Sequence, residues 1–308
     1  MTLTRPVAAL LLIICTMLWG LAFVAQKSAM DSMGPLTFAA ARYLLGGLVI
    51  LPLALWEYRR KTTARGALTG RQWAMVLFLG TVLFLGSWLQ QAGLATTTVT
   101  NGGFLTSLYV LFVPLIAFLA VRTRPHPVIY LGVPLALIGI FYLNGGGLDR
   151  LNAGDVMIIA SAVFWGMHVL TLSSIARGTG LPVFVSGISF LIAGALALVF
   201  AFALEQPDVS GMAQGWVQIL YAGVLSTAVA FTLQAIGQQH VPPANAAIIL
   251  SAESLFAAVG GAIILGERLP PVGYAGAALI FFAIVLVETL PALLDQRKNR
   301  REAPANSS

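Results

Sequence analysis

Charged residues are scarce in this sequence. Asp, Glu, Lys and Arg make up 9% of its 308 residues, whereas soluble proteins carry about 25%. Hydrophobic residues make up 58%, and the mean hydropathy is +0.90. A single soluble core cannot bury that much apolar surface, so the composition excludes a soluble protein and predicts an all-α polytopic membrane protein.

Cysteine and the common catalytic motifs are also missing. The single Cys15 excludes an intramolecular disulfide and a cluster of thiolate metal ligands. No Walker loop is present that could bind ATP, and neither His-Glu-x-x-His nor Gly-x-Ser-x-Gly occurs. No arginine-rich voltage helix or filter-like sequence indicates a channel. We therefore expect no metal, no cofactor and no catalytic residue, which argues against an enzyme.

Ten apolar segments follow one another with short connections. We expect the first to be a retained helix rather than a cleaved signal, and the polar residues 295–308 to form a disordered tail. The ten predicted spans cover about residues 6–28, 36–57, 71–93, 98–121, 127–144, 154–176, 182–204, 214–238, 243–265 and 270–291.

Basic residues cluster on one side of these spans. If the amino terminus is cytoplasmic, thirteen of the 17 Lys and Arg residues fall in cytoplasmic segments, as the positive-inside rule requires. This predicts a bacterial inner-membrane protein with both termini in the cytoplasm and an even number of spans. Because the basic residues lie beside membrane helices, the net charge of +6 does not indicate nucleic acid as a partner.

The sequence also resembles itself after a shift of about 145 residues. A shift of 146 aligns Trp19-Gly20 with Trp165-Gly166. A shift of 144 aligns Leu89-Gln90 with Leu233-Gln234, Gly93 with Gly237, Asn101 with Asn245, and Ser107 with Ser251. We predict two five-helix halves, residues 1–146 and 147–294. Because five is odd, the second half is inverted, and inverted halves place a substrate site near the bilayer midplane where they meet.

Glu253 lies in the middle of the apolar run that begins at Pro243. At about 1.5 Å per residue, a helix puts it roughly 15 Å from either membrane surface. A carboxylate at that depth is costly and is functional by default. It could bind a substrate amine or a proton, or it could be a protonated acid bonded to a neighbouring hydroxyl or amide. Its partner in the shift of 144 is Tyr109, which we expect to be its direct neighbour across the pseudo-twofold axis.

Aromatic residues are further candidates for the cavity. Trp19 and Trp165 are repeat partners, and together they could stack on an apolar or aromatic substrate; packing against lipid or between helices is the alternative. His168 shares a helix face with Trp165 and could carry a proton or be a neutral buried side chain.

Amide side chains and one more tryptophan complete the candidates. Trp88 and Gln91 follow helical spacing in the third predicted span, and Gln234 is the repeat partner of Gln90. These amides could bind a zwitterion or could link helices. Asn101 and Asn245 begin the fourth and ninth spans, where we expect helix caps, with a place at the cavity mouth as the alternative.

Four charged residues receive structural interpretations. Arg42, inside the second span, could pair with an acid or extend to the membrane surface. Lys27, near the end of the first span, is expected to do the latter. Glu267 and Arg268 are expected to close a helix end.

The doubled five-helix unit, the two Trp-Gly pairs and the sequence Leu265-Gly266-Glu267-Arg268-Leu269, followed by Gly276-Ala277-Ala278, resemble the drug/metabolite transporter superfamily. Within it, residues 8–290 are similar to the ten-helix EamA-type exporters, which include exporters of aromatic amino acids. The resemblance implies a basket of ten helices that moves amino acids or other small metabolites outward. Two positions depart from the pattern: the first half has no equivalent of Glu267, and Ser254 stands where many relatives have a proline that kinks the helix.

These observations predict a secondary transporter that works by alternating access, with helices 1, 3, 4, 6, 8 and 9 lining its site. We expect a small neutral or zwitterionic substrate, most simply an amino acid, with protons as a further partner if transport is coupled. Sugars and drugs are alternative substrates, and a membrane enzyme or a non-transporting scaffold is a weaker alternative. The sequence leaves the oligomeric state open.

Overall fold

The structure, a computed structural model, describes residues 3–122, 127–143, 151–268 and 270–302. Within these ranges the regular structure is helical throughout. The helices are α1 (Arg5–Ala29), α2 (Pro35–Arg65), α3 (Gly70–Leu94), α4 (Val99–Thr106), α5 (Tyr109–Val121), α6 (Ile129–Leu143), α7 (Ala153–Thr179), α8 (Pro182–Leu204), α9 (Val209–Gln214), α10 (Trp216–Leu220), the π-helix π1 (Tyr221–Phe231), α11 (Thr232–Gly237), α12 (Pro243–Ser251), α13 (Glu253–Ile264) and α14 (Pro271–Glu302).

Eight stretches of the described chain are long and apolar enough to cross a bilayer. They correspond to the predicted spans 1–4 and 6–9, and the all-α membrane fold is confirmed. The predicted fifth and tenth spans correspond to α6, of which 15 residues are described, and to α14, which begins with the apolar stretch Pro271–Ala283. The count of ten spans therefore stays a prediction.

The carboxyl end of α14 differs from the prediction. A disordered tail was expected from residue 295, but α14 continues to Glu302. The added turns contain Gln, Arg, Lys and Glu, whose helix propensities are good even without burial. Residues 303–308 lie outside the described residues.

Helices of the two predicted halves pack against each other in pairs. Helix α2 packs along α8, α3 along α7, and α6 along α14, while α1 contacts α13 and α7 contacts α4 and α5. The pairs α2–α8 and α6–α14 join equivalent helices of the two halves, and the α1–α13 contact has its counterpart in the α7–α5 contact. Such a pattern is expected of an inverted repeat. The division of the halves at residue 146 lies outside the described residues and stays a prediction.

Glutamates at the ends of helices cap the starts of helices in the opposite half. The Glu205 carboxylate accepts hydrogen bonds from the backbone N–H groups of Leu36 and Thr37, both at 2.8 Å, and from the Thr37 hydroxyl at 2.9 Å. In the other half, Glu57 accepts from the N–H of Phe184 at 2.9 Å. The first N–H groups of a helix have no partner within it and carry partial positive charge, so these carboxylates stabilise α2 and α8.

Glu267 makes the same kind of contact with α4. It accepts from the N–H groups of Val99 (2.6 Å) and Thr100 (2.9 Å) and from the Thr100 hydroxyl (2.8 Å). The residue expected to close a helix end therefore joins the end of α13 to the start of α4. Its counterpart in the first half would be Thr123, outside the described residues. The helix that such an acid would cap, α12, starts with Pro243 after another proline, and prolines have no N–H group to satisfy.

Cations cap the carboxyl ends of helices in a matching way. The Lys27 ammonium group donates to the carbonyl oxygen of Leu94 (2.9 Å) and to that of the following residue (3.1 Å). Arg177 donates to the carbonyl oxygens of Gln238 (3.0 Å) and Val241 (2.9 Å). Lys27 was expected to extend to the membrane surface; its ammonium group lies at the end of α3, where unsatisfied carbonyl groups are within its reach.

Replacing Glu267 by Gln is expected to lower the free energy of unfolding by about 1.5–3 kcal/mol. The amide keeps one acceptor oxygen but loses the charge-assisted bonds that Glu267 forms with the start of α4. The measurement is chemical or thermal unfolding of the purified protein in detergent. Asp31→Asn, at an exposed position, is the matched control and should change stability by less than about 0.5 kcal/mol. Equal effects of the two variants would contradict a stabilising role of the Glu267 contact.

Candidate functional site

A small cavity lies where the two sets of helices meet. Its volume of about 30 Å³ has room for little more than a single water molecule. An amino acid does not fit, so this conformation is closed around its centre. The cavity is lined by Trp19, Phe23, Gln26, Arg42, Gln90, Thr106, Tyr109, Trp165, Val169, Ser226, Phe231, Gln234, Leu250 and Glu253.

Two membrane spans are broken at the level of this cavity. Helix α4 ends at Thr106 and α5 begins at Tyr109, while α12 ends at Ser251 and α13 begins at Glu253. The breaks touch, since the Ser107 hydroxyl lies 3.3 Å from the carbonyl oxygen of Ser251. In transporters with inverted repeats, such discontinuous helices form the substrate site. The predicted partners Tyr109 and Glu253 thus each begin a half-helix at the meeting point.

The break before Glu253 needs no proline. The Ser251 hydroxyl donates to the carbonyl oxygen of Ile248 at 2.7 Å, and the Ser254 hydroxyl donates to that of Ser251 at 2.8 Å. Serine hydroxyls that bond back to the preceding turn bend helices. The helix is therefore interrupted at this point, although Ser254 occupies the position where many relatives have a proline.

Glu253 is buried, with 4% of its surface exposed. Its carboxyl group forms no ion pair with any described residue, and it lies in the first turn of α13, where the helix dipole favours negative charge. Tyr109 lines the same cavity, and its hydroxyl faces the Glu253 carboxyl group. The cavity therefore contains an acid and a hydroxyl group that are both available to a ligand.

Arg42 is equally buried, with 3% of its surface exposed, and lines the same cavity. Its Nη1 donates to Gln26 Oε1 and its Nη2 to the Tyr43 hydroxyl, both at 2.9 Å. Tyr43 in turn contacts the Ser87 hydroxyl, and Gln91 donates to the backbone oxygen of Gln26 at 2.8 Å. Arg42 thus neither pairs with an acid nor extends to the surface. Neutral partners hold its guanidinium group in place.

Aromatic rings form one wall of the cavity. The Trp19 indole N–H donates to the backbone oxygen of Ser226 at 3.0 Å, inside π1. The Trp19 ring lies 4.5 Å from Phe231 between centroids, and Trp165 stacks on Phe231 at 6.0 Å. Phe231, the last residue of π1, therefore lies between the two predicted tryptophans. π-Helical turns are frequent at functional sites because they displace side chains from the regular helical positions.

The repeat-related glutamines Gln90 and Gln234 line the cavity, whereas His168 lies behind its wall. Gln234 lines the cavity, and so does Gln90, which donates to the Thr106 hydroxyl at 3.0 Å. His168 is buried and packs edge-on against Phe231 at 5.6 Å between ring centroids, behind the cavity wall. It is placed to support the aromatic wall rather than to contact a ligand.

Trp88 and Gln91, two further predicted site residues, lie away from the cavity. Trp88 stacks at 6.1 Å and 6.5 Å on Phe84 and Phe200, and Phe200 is exposed on the lipid-facing side. Gln91, described above, supports Gln26 from behind. Helical spacing placed Trp88 and Gln91 in the third span, but it could not tell which neighbouring helix would cover each of them.

Asn101 and Asn245 are the remaining two, and the expectation that they cap their helices is wrong. The cap residue of α4 is Thr98, whose hydroxyl accepts from the Asn101 N–H at 3.1 Å. The cap position of α12 is occupied by Pro242. Both asparagines lie within the first turn, and neither lines the cavity. A threonine three residues before Asn101 is the signal that would have identified the cap.

Several cavity residues were absent from the sequence-based prediction. Arg42 is the most informative, because a charged residue inside a span is itself a functional signal; its asymmetry between the halves obscured it. The apolar residues of the cavity wall could not be predicted, because their sequence pattern is the same as that of ordinary packing residues. The set comprises Phe23, Gln26, Arg42, Gln90, Thr106, Val169, Ser226, Phe231 and Leu250.

Paired helix contacts, two broken spans and a polar cavity between them define the class of membrane transporters with inverted repeats. The sequence matches the EamA-like transporter family twice, over residues 6–145 and again over residues 152–289. The chain belongs to this family, which confirms the predicted resemblance.

Similar proteins span almost the whole chain. An uncharacterized transporter of Archaeoglobus fulgidus is 31% identical over 92% of this chain and 86% of its own length. YwfM, an uncharacterized transporter of Bacillus subtilis, is 30% identical over 92% and 94%. YicL, an uncharacterized inner membrane transporter of Salmonella typhimurium, is 26% identical over 94% and 96%.

A solved crystal structure has the same fold. Its chain superposes on this one with a TM-score of 0.69 at 19% sequence identity, and the match covers 94% of this chain and 99% of that one. At that identity, the likeness concerns the fold alone.

The contact between α1 and α13 beside Glu253 leaves no room for a side chain at Gly20. A Cβ atom there would lie 2.8 Å from the Glu253 carbonyl oxygen and 2.9 Å from the Ala257 nitrogen. Because both are backbone atoms, Gly20→Ala should lower the free energy of unfolding by about 1–3 kcal/mol.

The matched control for this prediction is Gly178→Ala in α7, where nothing lies within 4 Å of the added Cβ. Relief of glycine's entropy cost should raise stability there by up to about 0.5–1 kcal/mol. Thermal unfolding in detergent measures both. A Gly20→Ala protein as stable as Gly178→Ala would show that α1 and α13 are not in close contact.

Proposed function

We propose that this chain is a secondary transporter that exports amino acids by alternating access. We further propose that Glu253 binds the substrate's ammonium group and Arg42 its carboxylate. The observation that carries this is the presence of one buried acid and one buried base on the same small cavity, without an ion pair between them. Buried charges are costly unless they are paired, and a zwitterion supplies a partner to each.

The geometry of Arg42 supports its role as the carboxylate ligand. Its two Nη atoms are held by Gln26 and Tyr43, while its Nε, also buried, has no partner among the described residues. A guanidinium group fixed in this way is suited to directional hydrogen bonds with a planar carboxylate. The cost of leaving a buried donor unpaired is removed when the substrate is bound.

The opposite side of the site supports recognition of an amine. The Glu253 carboxyl group and the adjacent Tyr109 hydroxyl both line the cavity, and an ammonium group offers three donors. The wall formed by Trp19, Trp165 and Phe231 provides a stacking surface for an apolar or aromatic side chain. Apolar and aromatic amino acids are therefore the preferred substrates in this proposal.

Alternating access follows from the closed centre and the two interrupted spans. The cavity is too small for its substrate, so binding requires the helices around it to separate. Rocking of one half against the other about a fixed central site is how inverted repeats expose a site to each side in turn. We place the hinges of this motion at the breaks before Tyr109 and Glu253, which lie beside the cavity.

The location is the bacterial inner membrane, with both termini in the cytoplasm. The distribution of Lys and Arg supports the orientation, and the relative YicL is named an inner membrane transporter. The outward direction of transport rests on the resemblance to EamA-type exporters.

Counterflow into proteoliposomes tests the substrate class. Purified protein is reconstituted with an unlabelled amino acid inside, and uptake of labelled amino acids and of a labelled sugar is followed. Labelled leucine and phenylalanine should enter faster than the sugar, because only a zwitterion pairs with both Glu253 and Arg42. Uptake of the sugar alone would refute the amino-acid proposal, and uptake of neither would count against transport itself.

Two variants distinguish the proposed roles of the charges. Glu253→Gln and Arg42→Gln should each reduce leucine counterflow by about ten- to 150-fold, the equivalent of losing a charged hydrogen bond worth about 1.5–3 kcal/mol. Competition by leucine analogues that carry only the amine or only the carboxylate should distinguish the two variants. Glu253→Gln should lose inhibition by leucine's decarboxylated amine, and Arg42→Gln should lose inhibition by its deaminated acid. Arg60→Gln, whose guanidinium lies 5.2 Å from the Trp56 ring and away from the cavity, is the charge-matched control. Analogue inhibition that is unchanged in both variants would overturn the assignment.

A further inference from the structure

A second and larger cavity lies on the outer side of α7. It is a cleft of about 600 Å³, within the range of about 300–1,000 Å³ that is typical of ligand sites. It is lined chiefly by Phe78 of α3, Ile116 and Ala120 of α5, and Leu170, Thr171 and Ser174 of α7.

The cleft is separate from the central cavity, because the two share no lining residue. At 100° per residue, Leu170 and Ser174 lie on the face of α7 opposite to Trp165 and Val169. Phe78 is 45% exposed and Ser174 is exposed as well. The cleft therefore opens on the surface of the protein that the bilayer surrounds, near the ends of α5 and α7 that are predicted to be cytoplasmic.

Two arginines lie at that end of the cleft. Arg177 belongs to its lining, and three hydrogen bonds hold the guanidinium group: two to the carbonyl oxygens described above and one to the Ser173 hydroxyl at 2.8 Å. Its Nη1 has no hydrogen-bond partner among the described residues. Arg122 is exposed and lies two residues after the lining residue Ala120, at the end of α5, where the backbone turns at φ 56°; it is not itself part of the lining. The described lining contains no acidic residue.

The equivalent region of the other half is closed. There, Val24 of α1 packs against Gly260 of α13, and Glu267 lies over Gly261 beside Thr100. The cleft is thus a consequence of the asymmetry between the halves, since the first half has no equivalent of Glu267 to bring the end of α5 against the start of α12.

We propose that the cleft binds an anionic phospholipid, with its acyl chains against Phe78, Ile116 and Leu170 and its phosphate between Arg122 and Arg177. The walls are apolar, the mouth is cationic, and the cleft opens toward lipid. Basic pockets between membrane helices on the cytoplasmic side select anionic headgroups, and each nearby arginine contributes about fivefold in affinity. The inference does not depend on which substrate the central cavity carries.

Native mass spectrometry of the purified full-length protein, titrated with phosphatidylglycerol or phosphatidylcholine, tests the proposal. The wild type should retain phosphatidylglycerol in preference to phosphatidylcholine. Arg122→Gln should weaken retention of phosphatidylglycerol about fivefold and leave phosphatidylcholine unchanged. Ser174→Trp, at an exposed position, should fill the cleft and displace both lipids. Arg60→Gln removes one charge on the same predicted side, where Arg60 lies over Trp56, and should behave as the wild type.

Equal retention of the two lipids by the wild type would overturn the proposal. So would wild-type retention of phosphatidylglycerol by Arg122→Gln, a surface substitution that does not threaten folding. If Ser174→Trp abolished leucine counterflow while phosphatidylglycerol stayed bound as in the wild type, the cleft would be a route for substrate and not a lipid site. Counterflow measured on the same preparations separates that outcome from failure of the proposed transport function.

Discussion

Inside a bilayer, the polar groups at a helix end must find hydrogen-bond partners within the protein, and this constraint organises the contacts between helices. Glu57, Glu205 and Glu267 provide acceptors for the starts of α8, α2 and α4, while Lys27 and Arg177 provide donors for the ends of α3 and α11. Each contact satisfies backbone groups and at the same time fixes one helix against another.

The ionisable residues at the centre of the protein, Arg42 and Glu253, do not cap a helix of the other half. Arg42 is held by amide and hydroxyl groups, and Glu253 begins a half-helix without an ion-pair partner among the described residues. A buried acid and a buried base that remain unpaired in one cavity cost stability, and ionisable groups at that depth are retained where they have a function.

A site residue could be predicted from the sequence only where a repeat or a local pattern indicated its position. Glu253 and Tyr109 were related through the internal repeat, and both begin half-helices at the same cavity. Trp88 and Asn101 were misplaced for a common reason: helical spacing defines a face, but the neighbouring helix that covers that face is chosen by packing between distant segments. Arg42 was noticed as a buried charge, yet its partners Gln26 and Tyr43 come from α1 and α2 and are uncharged, so no complementary charge in the sequence indicated them.

The sequence by itself determined the membrane environment, the helical class, eight of the spans and the family, because apolar content, run length and repeated motifs are properties of the chain alone. Only the tertiary structure decided which charges cap helices and which line the cavity, that both central helices are interrupted, and that one half has an open cleft where the other is closed. The capping contacts depend on distances between residues at least 61 positions apart. Such distances follow from how the apolar segments pack, which no local pattern encodes.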